Sequence, residues 1–176
     1  MKKITAFVLM LLLFTFYSNA QWVSIPDTNF GKWLNSNTVA CMQGNSTAGW
    51  QMDTTCSGVT GKIEIACYNK PISDLTGIQY FDNLQTLLCY NCQLSNLSTL
   101  PPRLGILECD NNLLSSLPPL PASLKQLDCY DNPLGNLPTL NDSLVVLGCS
   151  NNQLSVLPAL PSSLKALYCN NNQLSN

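Results

Sequence analysis

The sequence predicts an α/β-type solenoid: stacked coils that each contribute one short parallel strand, with extended, polyproline-like segments on the opposite side and a small helical cap at the N-terminal end. Three observations carry that expectation. From Leu84 onward the chain aligns with itself in rows of twenty without a gap, and one column of those rows is Cys throughout. L-P-x-L-P also recurs at 117–121 and 157–161, where Pro fixes φ and withholds a backbone donor, so these segments are extended and not helical. A coil of that size cannot bury its own apolar edge, so stability has to come from stacking. Composition agrees, because 45% hydrophobic and only 10% charged residues argue for a folded chain over a disordered one.

Residues 1–20 are expected to be a secretory signal and to take no part in the fold. Lys2 and Lys3 precede an apolar run from Ile4 to Tyr17, and Ser18-Asn19-Ala20 supplies small residues where a signal peptidase reads, which predicts cleavage before Gln21. The run is shorter than the roughly 20 residues of a spanning helix. No later segment is long enough to span a bilayer, and no Cys follows the cleavage point to take a lipid anchor. The protein is therefore expected to be secreted or held at the cell surface. The remaining chain carries six Lys and Arg against ten Asp and Glu, a net charge of −4, with no run of basic residues. That balance excludes nucleic acid and anionic membrane as natural partners.

Residues 21–61 read as an N-terminal cap. Pro26 and Asp27 stand where a helix starts, and Phe30, Trp33 and Leu34 recur at helical spacing, so a short amphipathic helix is predicted to cover the open end of the first coil. Trp22, Phe30, Trp33 and Trp50 are read as packing and not as a ligand site. Cys41 and Cys56 lie outside the repeat in a stretch of Gly, Ser, Thr and Asn, where a disulfide is expected; closing a loop of this size stabilises by roughly 3 kcal/mol.

Residues 62–176 form the coils, about six of them with the last incomplete. Leu84, Leu104, Leu124, Leu144 and Leu164 make one column and Leu87, Leu107, Leu127, Leu147 and Leu167 the next. Cys89, Cys109, Cys129, Cys149 and Cys169 follow, then Cys92, Asn112, Asn132, Asn152 and Asn172, then Leu94, Leu114, Leu134, Leu154 and Leu174. A less regular first copy holds Ile65, Cys67, Ile72, Leu75 and Ile78, with two extra residues before Leu84. Strand alternation turns Leu87 and Cys89 inward and Thr86, Leu88 and Tyr90 outward. The Asn column leaves the strand with a side chain able to bond backbone groups that a curved turn strands, so Asn112, Asn132, Asn152 and Asn172 are expected to form a ladder.

The C-x-x-C of Cys89-Tyr90-Asn91-Cys92 is absorbed by this pattern: Cys89 belongs to the core column and Cys92 to the Asn column. Thioredoxin-like chemistry wants such a pair opening a helix, and structural zinc wants two pairs; neither context is present. The Cys ladder from Cys67 to Cys169 is read as small hydrophobes, since thiols of neighbouring parallel strands point the same way and bridge poorly.

The motif L-x-x-L-x-C-x-x-N-x-L resembles the bacterial leucine-rich repeat family over about two thirds of the chain, with Cys where Leu is usual. Ile72 to Ile78 is similar to the internalin type of repeat, and the L-P-x-L-P coils to the short repeats of bacterial leucine-rich effectors. The resemblance implies a right-handed, curved solenoid that binds another macromolecule on its concave strand face. On that face lie Tyr68, Leu88, Tyr90, Glu108, Asp110, Asp128, Tyr130 and Tyr168, a mixture of tyrosines and carboxylates suited to a basic or polar protein partner. A glycan-binding module, a structural matrix protein and the N-terminal part of a larger secreted protein stay open as alternatives. No cofactor, metal or enzymatic activity is expected: the chain has no His and no phosphate-cradling loop, and Glu108, Asp110 and Asp128 read as a solvated acidic face and not as a glycosidase pair. The last coil stops at Asn176 without a cap, so continuation of the natural chain, or self-association through that end, is expected.

Overall fold

The computed structural model describes residues 20–38 and 40–175, so the expected leader, Ala20 apart, lies outside the described residues. The repeat region is a solenoid. After three strands of the cap, β1 (Trp22–Ile25), β2 (Met42–Asn45) and β3 (Gly49–Asp53), the strands β4 (Glu64–Ala66), β5 (Thr86–Leu88), β6 (Ile106–Glu108), β7 (Gln126–Asp128), β8 (Val146–Gly148) and β9 (Ala166–Tyr168) form one parallel sheet in chain order. The register follows the sequence columns, pairing Leu87 with Leu107, Leu107 with Leu127, Leu127 with Leu147 and Leu147 with Leu167. Side chains at this central position stack on their counterparts and are fully buried from Ile65 through Leu147. At about 1.5–3 kcal/mol for each fully buried Leu, such columns offset the ordering of the coil.

Between strands the chain returns without a helix, apart from a single 3-10 turn at Ile78–Tyr80 in the first coil. Phe81, which precedes Leu84 in the longer first spacing, is fully buried and fills that wider coil. Each strand is followed by a residue with positive φ: Asn69, Asn91, Asn111, Asp131, Asn151 and Asn171, all between 50° and 55°. Asn and Asp tolerate this left-handed region better than other side chains, which explains why they hold the corner of every coil.

The cap contains the helix expected from Phe30, Trp33 and Leu34. This helix, α1 (Thr28–Asn37), starts at Asp27, whose Oδ1 accepts from Asn29 N and Phe30 N at 2.8 Å each. What the sequence did not announce is a three-stranded antiparallel sheet of β1 (Trp22–Ile25), β3 (Gly49–Asp53) and β2 (Met42–Asn45), in that spatial order. Gly31 sits against the Trp50 ring so closely that a Cβ would collide with it, which lets α1 lie flat on β3. Cys41 and Cys56 are disulfide-bonded, as the spacing suggested.

Candidate functional site

The outward strand face presents three columns. Tyr68 and Tyr90 stack with ring centroids 4.6 Å apart and planes 5° from parallel. Parallel strands stand about 4.8 Å apart, so identical residues at equivalent positions fall into ring contact without adjustment. Tyr68, Tyr130 and Tyr168 are 37%, 36% and 60% exposed, whereas Leu88, Glu108 and Asp128 are half-buried. Tyr90 titrates above the usual phenol range through desolvation first and its neighbours Tyr68 and Glu108 after that.

One residue departs from the expected solvated acidic face. Asp110 is only 4% exposed. It follows β6 in the same column as the tyrosines, but Tyr130 of the next coil and Asn111 hydrogen-bond to it, the latter at 3.3 Å. Desolvation raises its pKa despite those bonds, and its negative field joins burial in pushing the Tyr130 phenol up to about 12. Glu108 is raised too, first by desolvation and then by Asp128 and Asp110. Asp128 is held by Gln126, whose Nε2 donates to Oδ2 at 2.7 Å, and it leans over Gly148, where a Cβ would strike its Oδ1. Asp110 and Asp128 are therefore held by neighbouring side chains, with Asp110 acting as support for Tyr130 and not as a surface contact. Its cover comes from a residue twenty positions away, which alternation within one strand cannot reveal.

Beneath this face run the polar and thiol ladders. Asn112 Nδ2 donates to the carbonyls of Cys89, Cys109 and Asp110 at 2.9–3.0 Å, while its Oδ1 accepts from Leu94 N at 3.0 Å. Asn132, Asn152 and Asn172 repeat the arrangement one coil on each time, accepting from Leu114, Leu134 and Leu154. Each amide thus joins two coils and satisfies backbone groups that would otherwise be buried unpaired. Cys92, in the same column, offers a thiol in place of an amide and contacts Cys67 O and Tyr90 O at 3.4 and 3.6 Å.

Cys67, Cys89, Cys92, Cys109, Cys129, Cys149 and Cys169 are free thiols. Burial raises the pKa of Cys67 to about 12 and of Cys149 to about 11, and pushes Cys89, Cys109 and Cys129 well up. The thiolate is the reactive form, so burial holds these five in the less reactive thiol form at neutral pH. Among the described residues no group of three His, Cys, Asp or Glu is arranged to hold a metal ion, and no helix is long and apolar enough to cross a membrane.

Leu columns on stacked parallel strands, with an Asn ladder at the corner of each coil, define a leucine-rich repeat protein. Among the solved structures it resembles are bacterial proteins of that class. It is similar to YopM from Yersinia enterocolitica WA-314 (40% identity, TM-score 0.54, covering 54% of this chain and 21% of that one). A Shigella effector leucine-rich repeat domain matches at 34% identity with a TM-score of 0.65, over 68% of this chain and 54% of the other. YopM from Yersinia pestis, a leucine-rich effector, matches at 32% with a TM-score of 0.53, over 64% and 37% respectively. The chain thus spans about half or less of the length of these proteins. No family profile and no curated protein matches it. The fold it shares with them points to a protein-binding repeat module.

Proposed function

We propose that the protein is a secreted or cell-surface, non-catalytic binding module that recognises another protein through its outward strand face. The single observation behind this reading is the exposure of Tyr68, Tyr130 and Tyr168 on one continuous sheet beside the half-buried Glu108 and Asp128. Tyrosines offer large contact area at low entropic cost, and a carboxylate already oriented, as Asp128 is by Gln126, meets Arg or Lys of a partner with little further ordering. Leu88 and Tyr90 lie between them and complete the surface. Asp110 serves that surface through Tyr130.

The test compares the mature chain with a variant carrying Tyr68→Ser, Tyr130→Ser, Tyr168→Ser and Glu108→Gln, both immobilised and exposed to proteins from the compartment into which the chain is released. A protein retained by the first and lost by the second, with both chains melting cooperatively, supports the placement. Equal retention by both refutes it. Self-association in light scattering with no protein retained favours the structural matrix alternative, and retention on a glycan array that follows the tyrosines favours a carbohydrate ligand.

A further inference from the structure

A second surface lies where the cap meets the first coil. A groove of about 670 Å³ opens between α1 and the segment that follows β4, within the size range of ligand sites. Its walls are fixed to one another. Asn29 Nδ2 donates to Pro71 O at 2.6 Å, and Asp27 Oδ2 accepts from Ser73 N and Ser73 Oγ at 2.8 Å each.

The charge of this groove runs against that of the molecule. Residues 21–176 hold only six cations, scattered along the sequence, and the fold collects three of them here. Lys32 and Lys70 line the groove, and Lys62 stands 5.8 Å from the centre of the Trp33 ring, which also lines it. No carboxylate is among the lining residues. The nearby Asp27 has both oxygens engaged by the helix start and by Ser73. The ammonium groups of Lys32 and Lys70 make no hydrogen bond or ion pair among the described residues, and both side chains are exposed.

The groove also has a stacking surface. One face of Tyr68 is covered by Tyr90, and Tyr68 is at the same time a wall of the groove. Tyr68 is 37% exposed, so part of it is open on the groove side to contact a further planar group.

We propose that this groove binds a peptide segment of a partner protein in which an aromatic side chain lies beside carboxylates. The ring stacks on Tyr68 and the carboxylates meet Lys32 and Lys70, pairings whose chemistry is complementary in shape and sign. A sugar is a poorer fit, because a donor of each of Asn29, Ser36 and Asn37 is already engaged inside the chain, on Pro71 O, Lys32 O and Trp33 O, and the free charges of the groove are cationic. A neutral pyranose would leave the lysine charges without a counter-ion, whereas carboxylates supply one. The site stands apart from the strand-face reading, shares only Tyr68 with it, and prefers the opposite charge.

The probe is a short labelled peptide with one Phe set between Asp and Glu residues, followed by fluorescence polarisation with the full mature chain. Binding should weaken with added salt and fall about tenfold or more, the equivalent of about 1.4 kcal/mol, in the Lys32→Glu, Lys70→Glu double variant. Lys32→Arg with Lys70→Arg should keep it, and replacing the Phe of the peptide by Ala should lose it. The reversed double variant should instead take up the same peptide with Lys in place of Asp and Glu. Because both lysines are exposed, the variants fold and their melting curves confirm it. Tyr130→Ser with Tyr168→Ser should leave peptide binding unchanged, which separates this site from the strand face. Absence of binding to the acidic peptide, indifference to the Lys32 and Lys70 reversals, or tighter binding of an acidic oligosaccharide than of the peptide would each overturn the proposal.

Discussion

The cap and the coils solve the same problem with opposite economies of information. In the coils one contact is written many times: the same Leu, the same Asn and the same left-handed corner recur at each step. In the cap every contact occurs once, as with Gly31 against Trp50, Cys41 bonded to Cys56, and Asp27 reaching Ser73. Repetition means that any coil position can be judged against its equivalents. The cap offers no such control, and its one-off contacts have to be tested singly.

The largest effect should come from interrupting a column. Leu127→Ala removes a fully buried side chain with identical neighbours above and below, and should cost about 4 kcal/mol in denaturant unfolding. The partly buried Leu167, in the terminal strand β9 with a strand neighbour on one side only, is the internal comparison, and Leu167→Ala should cost clearly less. Equal losses at the two positions would mean that stacking on both sides is not what stabilises the interior coils.

In the cap the corresponding break is the Cys41→Ser, Cys56→Ser double variant. Opening a loop of sequence separation 15 should destabilise by about 3 kcal/mol on loop entropy. Hydrogen exchange should rise in residues 21–61 and stay slow in the central strands β6 and β7. If the strands loosen equally, the two regions unfold as one unit and the contrast drawn between them fails.

How much of this was legible beforehand follows the same division. The strand register, the inward cysteines and the Asn column could be read because each is a vertical repetition, and the solenoid followed from them. The left-handed corners carried a signal of the same kind, Asn91, Asn111, Asp131, Asn151 and Asn171 in one column, but hydrophobic periodicity does not look there. The cap sheet was hidden for a physical reason. Met42–Asn45 is polar and short, and the turn after it is held by Asn45 Oδ1 accepting from Thr47 N and Ala48 N, so the stretch reads as loop until β3 pairs with it. Within the candidate site, the tyrosine column was visible. The burial of Asp110 was not, since it depends on a side chain in another coil.

Cys92 offers a way to sharpen the comparison, being the one member of the column from 92 to 172 that lacks an amide. Asn in its place should donate to Cys67 O and Tyr90 O with better geometry than a thiol, as Asn112 does to Cys89 O and Asp110 O. Cys92→Asn is therefore expected to stabilise by about 1 kcal/mol, read as a higher denaturant midpoint at unchanged slope. A loss of stability would show that the wider first coil has adapted to the thiol, and that equivalence of positions stops at its boundary.

The smallest effect concerns the joint between the two regions. Burial alone would raise the pKa of Asp27, but hydrogen bonds from Phe30 N, Ser73 N, Ser73 Oγ and Asn29 N outweigh it and hold the carboxyl below its ordinary value of 3.8. A carboxyl lowered in the folded state binds its proton more readily when unfolded, so its contribution is complete above that ordinary value and is lost as pH falls through the lower, folded one. Asp27→Asn keeps an acceptor for the start of α1 but gives up one for Ser73. It should lose less than about 1 kcal/mol at neutral pH, in line with a single cap, and the difference from the parent chain should shrink between pH 4 and pH 2. Melting curves of the two chains across that range would decide the matter. A difference that stays constant with pH would mean that the Asp27 charge does no work at the joint, and that α1 is held on the first coil by packing and the Asn29 bond to Pro71 alone.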